Sequence, residues 1–337
     1  MKRVTGTDDM NHFPNKKMKR IFHLTVITAA FLFAAAFVPS PSLSYVTAQE
    51  VTASYLYSLS DFTGAVPYSW AKLGLDYERG ETYVVYQGIV RIFNASGMEV
   101  YHFGEDLGLG VISDLAVLGD GNILLLFNRV ESYELVLCDF RGSPVSKMKI
   151  QGLPTAFSDI LPSRIFSRNG RLYFADLGTK KRIVVTDSKG IFQDGYDLSA
   201  LMDFGEEKAG MKNDIVGFSV DSKGNMLFTV PTLFQAFRLS PDKGLESFGS
   251  PGSIPGKFNV IAGIASDEQG RIYVADSLRS VVAVFDQDFK FLAELSTRGF
   301  KPGELIVPKE VAVDTRGRIY ISQAARRGVS VFQISEQ

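Results

Sequence analysis

The sequence is poor in the residues that most often build covalent cross-links and catalytic centres. Cys138 is the only cysteine among 337 residues, which excludes an internal disulfide. Histidine occurs three times, and only His102 lies beyond residue 48. Histidine-rich zinc sites are therefore excluded from the later chain, and a Ser-His-Asp arrangement would have to use His102. Neither a Gly-x-Ser-x-Gly nor a Cys-x-x-Cys-His motif occurs, so the sequence lacks a serine-hydrolase elbow and covalent haem attachment.

Long apolar runs are also scarce, and the single one lies near the N-terminus. Ile21–Val38 follows six basic residues and precedes two prolines and the segment YVTAQE, which places small residues where a signal peptidase cleaves. This pattern predicts a secretory signal peptide over residues 1–48, with cleavage favoured after Ala48. The alternative is an uncleaved anchor, since 18 residues is the lower edge of what spans a bilayer.

Removal of this leader leaves residues 49–337, a length that suits a single all-β domain. The leader holds six of the 36 basic and two of the 37 acidic side chains, so the remainder carries 30 and 35 and a net charge of −5. A dedicated nucleic-acid binder would show a basic excess, and we expect no nucleic-acid partner. The predicted location is periplasmic or extracellular, or membrane-tethered if the signal stays uncleaved.

A repeat dominates the chain beyond the leader. A turn glycine followed by a β-rich run occurs six times, at intervals of 41, 49, 54, 46 and 47 residues: Gly80, Gly121, Gly170, Gly224, Gly270 and Gly317. Three of these turns read Asp-x-x-Gly, beginning at Asp221, Asp267 and Asp314. The aspartate accepts hydrogen bonds from turn amides and the glycine adopts a left-handed conformation, so each turn predicts a tight hairpin.

Each unit contains a second turn, such as Asp139–Gly142 or Asp187–Gly190, with a short strand on either side. Four short antiparallel strands at a period near 45 residues are typical of a β-propeller blade. The last unit ends one strand short at Gln337, whereas Ala53–Asp61 belongs to no unit. The predicted fold is therefore all-β: a six-bladed propeller of four-stranded antiparallel blades, closed when the N-terminal strand joins the last blade. Closure removes an unpaired edge.

The last two units resemble NHL repeats. Phe248–Asp286 and Gly299–Gln333 share a Gly/Pro-rich lead-in, an inner apolar strand, Asp-x-x-Gly, a strand beginning Ile-Tyr, a basic loop and a Val-x-Val-Phe strand. Asn169–Gly190 keeps part of this pattern, and the other units keep the spacing and the turns. The resemblance implies a six-bladed propeller that serves as a binding platform, with a minority of relatives acting as lyases or lactonases.

Cations recur in the loop after the second strand of the repeat. The candidate binding residues are Lys180, Lys181, Arg182, Arg279, Arg326 and Arg327. The resemblance implies that these loops lie on one face with the long links between blades. A locally basic face suits an anionic partner, although the same residues also fit ordinary solvated hairpin loops. The first hypothesis is therefore an exported, non-catalytic binding or scaffold protein with a protein or glycan partner and no cofactor.

Acidic residues near the start of the inner strands support an alternative hypothesis. Asp114 and Glu310 share one register, seven residues before their turn glycines, and Asp214 lies close to it in another unit. Oxygen ligands that converge on a propeller channel bind calcium, which would indicate a lactonase-like hydrolase or lyase. Tyr196–Asp214 exceeds the repeat and is the best candidate for a blade-specific functional loop. Asp176 and Asp276, by contrast, are expected to hold loop amides.

Overall fold

The computed structural model describes residues 51–105, 110–178, 180–202 and 213–336, with side chains up to residue 335. The predicted signal peptide and residues 203–212 of the Tyr196–Asp214 segment lie outside the described residues, and both stay predictions. The described residues belong to one compact unit, Ala48–Gln337. They form six four-stranded antiparallel sheets and one small hairpin, so the predicted six-bladed propeller is confirmed.

The strands follow one another along the chain in blade order. Before the first blade come β1 (Val51–Ser58) and the hairpin of β2 (Ser60–Asp61) and β3 (Gly64–Ala65). From the inside outward, blade 1 contains β4 (Lys72–Leu75), β5 (Thr82–Tyr86), β6 (Ile89–Phe93) and β7 (Glu99–Phe103). Blade 2 contains β8 (Ile112–Val117), β9 (Ile123–Asn128), β10 (Tyr133–Cys138) and β11 (Pro144–Met148). Blade 3 contains β12 (Arg164–Arg168), β13 (Arg171–Asp176), β14 (Arg182–Asp187) and β15 (Phe192–Asp197).

The second half of the ring repeats this order. Blade 4 contains β16 (Phe218–Val220), β17 (Met226–Val230), β18 (Gln235–Leu239) and β19 (Leu245–Phe248). Blade 5 contains β20 (Ile261–Ser266), β21 (Ile272–Asp276), β22 (Val281–Phe285) and β23 (Phe291–Leu295), and blade 6 contains β24 (Glu310–Val313), β25 (Arg318–Ser322) and β26 (Val329–Glu336). The described helices are short: α1 (Leu198–Leu201) and 3-10 turns at Thr155–Phe157 and Pro231–Leu233. None of them is long and apolar enough to cross a bilayer.

The ring closes through β1, which supplies the fourth strand of blade 6. It runs antiparallel to β26, with Val51 opposite Glu336 and Ser58 opposite Ser330. The six inner strands contact one another in sequence, and β24 contacts β4 to complete the circle. The closing strand ends at Ser58 rather than at Asp61, where the predicted strand Ala53–Asp61 ended. Leu59 turns into the core, and Ser60–Asp61 pairs with β3 instead.

The hydrophobic core consists of six clusters, one between each pair of adjacent blades. The cluster between blades 5 and 6, for example, joins Tyr273, Val282 and Val284 to Val311 and Ile319. Because each blade is covered on both faces by its neighbours, its middle strands are buried along their whole length, as in β21 and β22. This explains why these strands read as nearly continuous apolar runs rather than as alternating ones.

Candidate functional site

The two ends of the ring differ in construction. In an antiparallel blade, the start of the inner strand and the loop between the second and third strands lie at the same end. We call this end the connector face, because the links between blades also arrive there, and the opposite end the turn face. Asp276 ties these parts together: its carboxylate accepts from the Asn259 amide at 2.7 Å and from the Arg279 amide at 3.0 Å. Gln323 accepts from the Ile306 amide in blade 6.

A cluster of four charged residues, two buried and two partly buried, lies at the connector-face end of the channel. Arg164 of β12 forms ion pairs with Asp114 of β8 and with Glu310 of β24, and its Nε lies 3.0 Å from Asp114 Oδ2. Asp114 is only 2% exposed and also accepts from the Ile165 amide at 2.9 Å. Lys72 of β4 completes what we call the Arg164 cluster. The predicted carboxylates of blades 2 and 6 therefore do converge, but they converge on an arginine.

Burial affects the ionisation of Lys72 at this end of the channel. Its ammonium group donates to the Ser163 carbonyl at 3.2 Å. Burial lowers the pKa of Lys72 below the usual lysine range, and the nearby carboxylates of Asp114 and Glu310 oppose that effect only in part. The cluster thus combines two cations and two anions in a low-dielectric environment.

The inner strands of blades 4 and 5 carry no carboxylate at the position of Asp114 and Glu310, seven residues before the turn glycine. That position is Gly217 in blade 4 and Gly263 in blade 5. A Cβ atom on Gly263 would lie 2.5 Å from the Lys309 carbonyl oxygen and 2.8 Å from the Val311 amide nitrogen. Adjacent inner strands approach too closely there for any side chain.

These residues do not fit the calcium ion of the alternative hypothesis. Arg164 stands between the two carboxylates, and Ca²⁺ requires six to eight oxygen ligands. Asp214 is exposed and forms no ion pair or hydrogen bond with the Arg164 cluster. Within the described ranges, no group of three or more histidine, cysteine or acidic side chains is placed to hold a metal.

A second arginine of the same strand occupies the turn-face end of the channel. Arg168 pairs with Glu268 of blade 5 at 2.5 Å, and its guanidinium lies 4.2 Å from the centre of the Tyr77 ring of blade 1. Between the two arginines, apolar side chains such as Phe166, Leu73 and Leu115 leave a void of about 30 Å³. Ion pairs thus cross the channel at both ends. Arg164 and Arg168 are four positions apart in β12, and the alternation of side chains along a strand therefore places both of them on the side that faces the channel.

Most of the predicted basic loops are neutralised by neighbouring acids. Lys180 and Arg182 pair with Asp159 at 2.8 and 2.9 Å, and Arg182 also approaches Asp197. Arg279 binds Glu294 through two nitrogens, the longer bond being 2.7 Å. Lys181 lies in the same loop as Lys180, with a left-handed backbone. The loops of blades 3 and 5 therefore present little unbalanced positive charge.

Blade 6 is different, because the cations of its connector-face segments form no ion pair within the described ranges. The linking segment 296–309 and the loop 323–328 hold five cations and one acid: Arg298, Lys301, Lys309, Arg326, Arg327 and Glu304. None of the five forms an ion pair, and Glu304 accepts from the Lys301 amide at 2.8 Å. The side-chain charge of this stretch is therefore +4. Arg327 donates to the carbonyls of Phe300 and Lys301, which joins the segment to the loop.

Two exposed aromatic side chains lie among these cations. Trp70, the only tryptophan of the chain, is 48% exposed, and Lys309 Nζ lies 5.1 Å from its ring centre. Its indole donates to the Val307 carbonyl at 3.2 Å, and its backbone φ is +56°. Phe300 is 68% exposed and lies against Arg327. We call Trp70, Phe300 and the five cations the basic–aromatic sector. Trp70 could not be identified from the sequence, because its contact with blade 6 joins residues that are far apart in the chain.

Exposed aliphatic side chains extend this surface around the connector face. They lie in the loops and strand entrances of blades 2 and 5: Val111, Val130, Val260 and Leu278.

His102 lies away from this surface. It projects from the outer strand β7, half exposed, with its Nδ1 2.9 Å from Glu99 Oε1. It is the only histidine in the described ranges, and it forms no contact with the Arg164 cluster. No general base of the imidazole type is therefore present at the channel.

No family model matches the chain, and no curated protein matches it. Among solved structures, it is similar to a protein of unknown function from Bacteroides thetaiotaomicron, with 14% identity, a TM-score of 0.59 and coverage of 85% of this chain and 76% of that one. It is also similar to virginiamycin B lyase from Staphylococcus aureus, with 12% identity, a TM-score of 0.54 and coverage of 85% and 99%.

A catalytically inactive histidine-to-alanine variant of that lyase, solved with quinupristin, matches at 10% identity and a TM-score of 0.52, with coverage of 84% and 99%. At these identities the similarity concerns the fold alone. The comparisons therefore support a six-bladed propeller shared by proteins of unknown function and by lyases.

Proposed function

We propose that this protein is an exported, non-catalytic binding or scaffold protein that presents its connector face to a protein or glycan partner. The observation that carries the proposal is the basic–aromatic sector. Five cations that form no ion pair within the described ranges lie in two linked segments of blade 6, and two of them, Lys309 and Arg327, lie against the exposed rings of Trp70 and Phe300. Aromatic side chains are more often buried than exposed. Aromatic and arginine side chains are also the residues that contribute most to binding energy at protein interfaces.

The NHL-like units agree with this proposal. Their recurring Asp276 and Gln323 tie each blade link to the neighbouring loop, so the connector face is held rigidly while its exposed side chains vary from blade to blade. A rigid scaffold with variable loops is the usual construction of a recognition surface. We therefore retain membership of the NHL type as part of the proposal.

A hydrolase or lyase function receives less support. The lyase variant named above lost activity with one histidine, whereas the single described histidine of this chain lies on an outer strand. The Arg164 cluster is already neutral, and Arg164 shields its two carboxylates from a substrate or metal. We find no nucleophile paired with a base at either end of the channel within the described ranges.

Affinity capture with the full chain tests the proposal. The bait is compared with a Trp70→Ala/Phe300→Ala variant and with a control, Phe140→Ala, which removes an exposed aromatic ring from the turn face. From the envelope fraction of the producing cells, we expect a partner that the wild type and the control retain and the double variant loses. Equal capture by all three baits, or no partner at all, would contradict the proposal.

A further inference from the structure

A cavity of about 490 Å³ adjoins the basic–aromatic sector at the junction of blades 6 and 1. It lies between the segment that follows β2, the β5–β6 loop and the loop that carries Arg326. Its polar and aromatic lining consists of Asp61, Tyr68, Tyr86, Gln87, Arg91 and Arg326. The volume falls within the range of small-ligand sites.

The loop that carries Arg326 is held in an unusual conformation. Ala325 and Arg326 both have left-handed backbones, with φ of +54° and +56°, and the Arg327 amide bonds the Ala324 carbonyl across the turn. Such a turn normally takes asparagine and glycine. The Ser69 hydroxyl accepts from the Arg326 amide at 2.8 Å, which fixes the loop against the segment lining the cavity. The strain thus places a guanidinium without an acidic partner at the cavity rim.

The rest of the lining combines ring faces with hydrogen-bonding groups. The Tyr68 and Tyr86 rings lie 5.1 Å apart, and both contribute to the cavity wall. Hydrogen bonds from the Thr63 side chain and amide hold the pKa of the Asp61 carboxyl below its usual range, so it is an acceptor at neutral pH. Arg91 is balanced by Glu99 at 2.8 Å. Arg326 and Asp61 are therefore the two charged side chains of the lining that form no ion pair within the described ranges.

We propose that this cavity binds a carboxylated sugar unit of an acidic polysaccharide. This inference rests on the proposed function and specifies its ligand class. Arg326 matches the sugar carboxylate, the tyrosine rings match an apolar ring face, and Asp61 and Gln87 match the hydroxyl groups. The cations and exposed rings of the basic–aromatic sector lie beside the cavity and suit the following units of the same chain.

An acidic peptide fits the same surface less well. It would pair with Arg326, but aspartate and glutamate side chains present no ring face to Tyr68 and Tyr86. A sugar unit carries hydroxyl donors that Asp61 accepts. The lining therefore favours the acidic glycan over the acidic protein.

Fluorescence of Trp70 provides a direct assay with the full chain, since it is the only tryptophan. The probes are trigalacturonate, the neutral trisaccharide cellotriose and a glutamate oligomer of equal charge. We expect saturable binding of trigalacturonate, with an affinity that falls about tenfold in Arg326→Ala and is partly restored in Arg326→Lys. Arg141→Ala, an exposed arginine of the turn face, is the matched control and should bind as the wild type does.

The other outcomes overturn the inference in different ways. Equal affinity for cellotriose refutes the role of the carboxylate, and binding of the glutamate oligomer without trigalacturonate refutes the glycan. Either result, together with a partner whose capture depends on Trp70 and Phe300, leaves the proposed platform function standing. If the affinity capture also finds no partner that depends on Trp70 and Phe300, both the glycan site and the proposed platform function are refuted. Unchanged affinity in Arg326→Ala removes the cavity as the binding site, and circular dichroism verifies that the variant is folded.

Discussion

Replacement of Arg164 by methionine removes the cation that Asp114 and Glu310 share. Methionine keeps most of the length and the apolar stem of the arginine, so the change acts mainly on charge. The guanidinium Nε lies 3.0 Å from Asp114 Oδ2, and the aspartate is only 2% exposed. Water therefore has little access to replace the lost partner, and Lys72 already donates to the Ser163 carbonyl.

Loss of one partner from a buried ion pair costs about 3–5 kcal/mol, because the remaining charge stays desolvated. We expect the free energy of unfolding of Arg164→Met to fall by this amount. Because a large domain shifts by roughly 2–4 °C per kcal/mol, the melting temperature should fall by about 6–20 °C.

Urea unfolding followed by circular dichroism measures this loss. The matched control is Arg182→Met, which removes an arginine of the same blade from exposed acids, and its loss should be much smaller. A variant in which all four charges are replaced, Arg164→Met, Lys72→Met, Asp114→Leu and Glu310→Leu, should recover most of the stability, since apolar replacements of complete buried ion-pair sets are often neutral. A loss in Arg164→Met no larger than in the control would refute the reasoning.

Two further predictions concern the inner strands. Gly263→Ala should lower the free energy of unfolding by about 1–3 kcal/mol, because its Cβ would meet backbone atoms of Lys309 and Val311. Gly178→Ala is the control, since the space around Gly178 is open. Equal free energies of unfolding in urea for the two variants would contradict the prediction. Burial lowers the pKa of Lys72, so the unfolded state binds more protons than the folded state between the lowered folded pKa and the ordinary lysine pKa. The stability of the wild type relative to Lys72→Met should therefore rise from pH 7 to 10, and a difference that does not change with pH would disprove it.

Much of the fold was predictable from short-range patterns. The turns at Asp221, Asp267 and Asp314 are local: each aspartate accepts from amides two and four residues later. The spacing of the six turn glycines predicted the number of blades, and the strand near Ala53 that belongs to no unit predicted how the ring closes. The bounds of that strand were less predictable, because the burial of Leu59 depends on its contacts across the ring.

The candidate site was predictable only in its parts. The register identified Asp114 and Glu310 but suggested calcium, because no local signal shows that Arg164 stands between them. Five of the six candidate cations lie on loops and Arg182 begins β14, yet the pairing of Lys180, Arg182 and Arg279 depends on acids outside these loops. Their role in binding stays a prediction.

The sequence by itself determined the number of blades, the turns, and the exclusion of an internal disulfide and of a histidine-rich zinc site beyond residue 48, because these follow from composition and from contacts within a few residues. The tertiary structure decided which charges are balanced and which remain exposed. Ion pairs such as Arg164 with Glu310, and the placement of Trp70 beside Lys309, join residues more than a hundred positions apart. The electrostatic character of each face is therefore a property of the closed ring, since only closure brings blade 6 against blade 1.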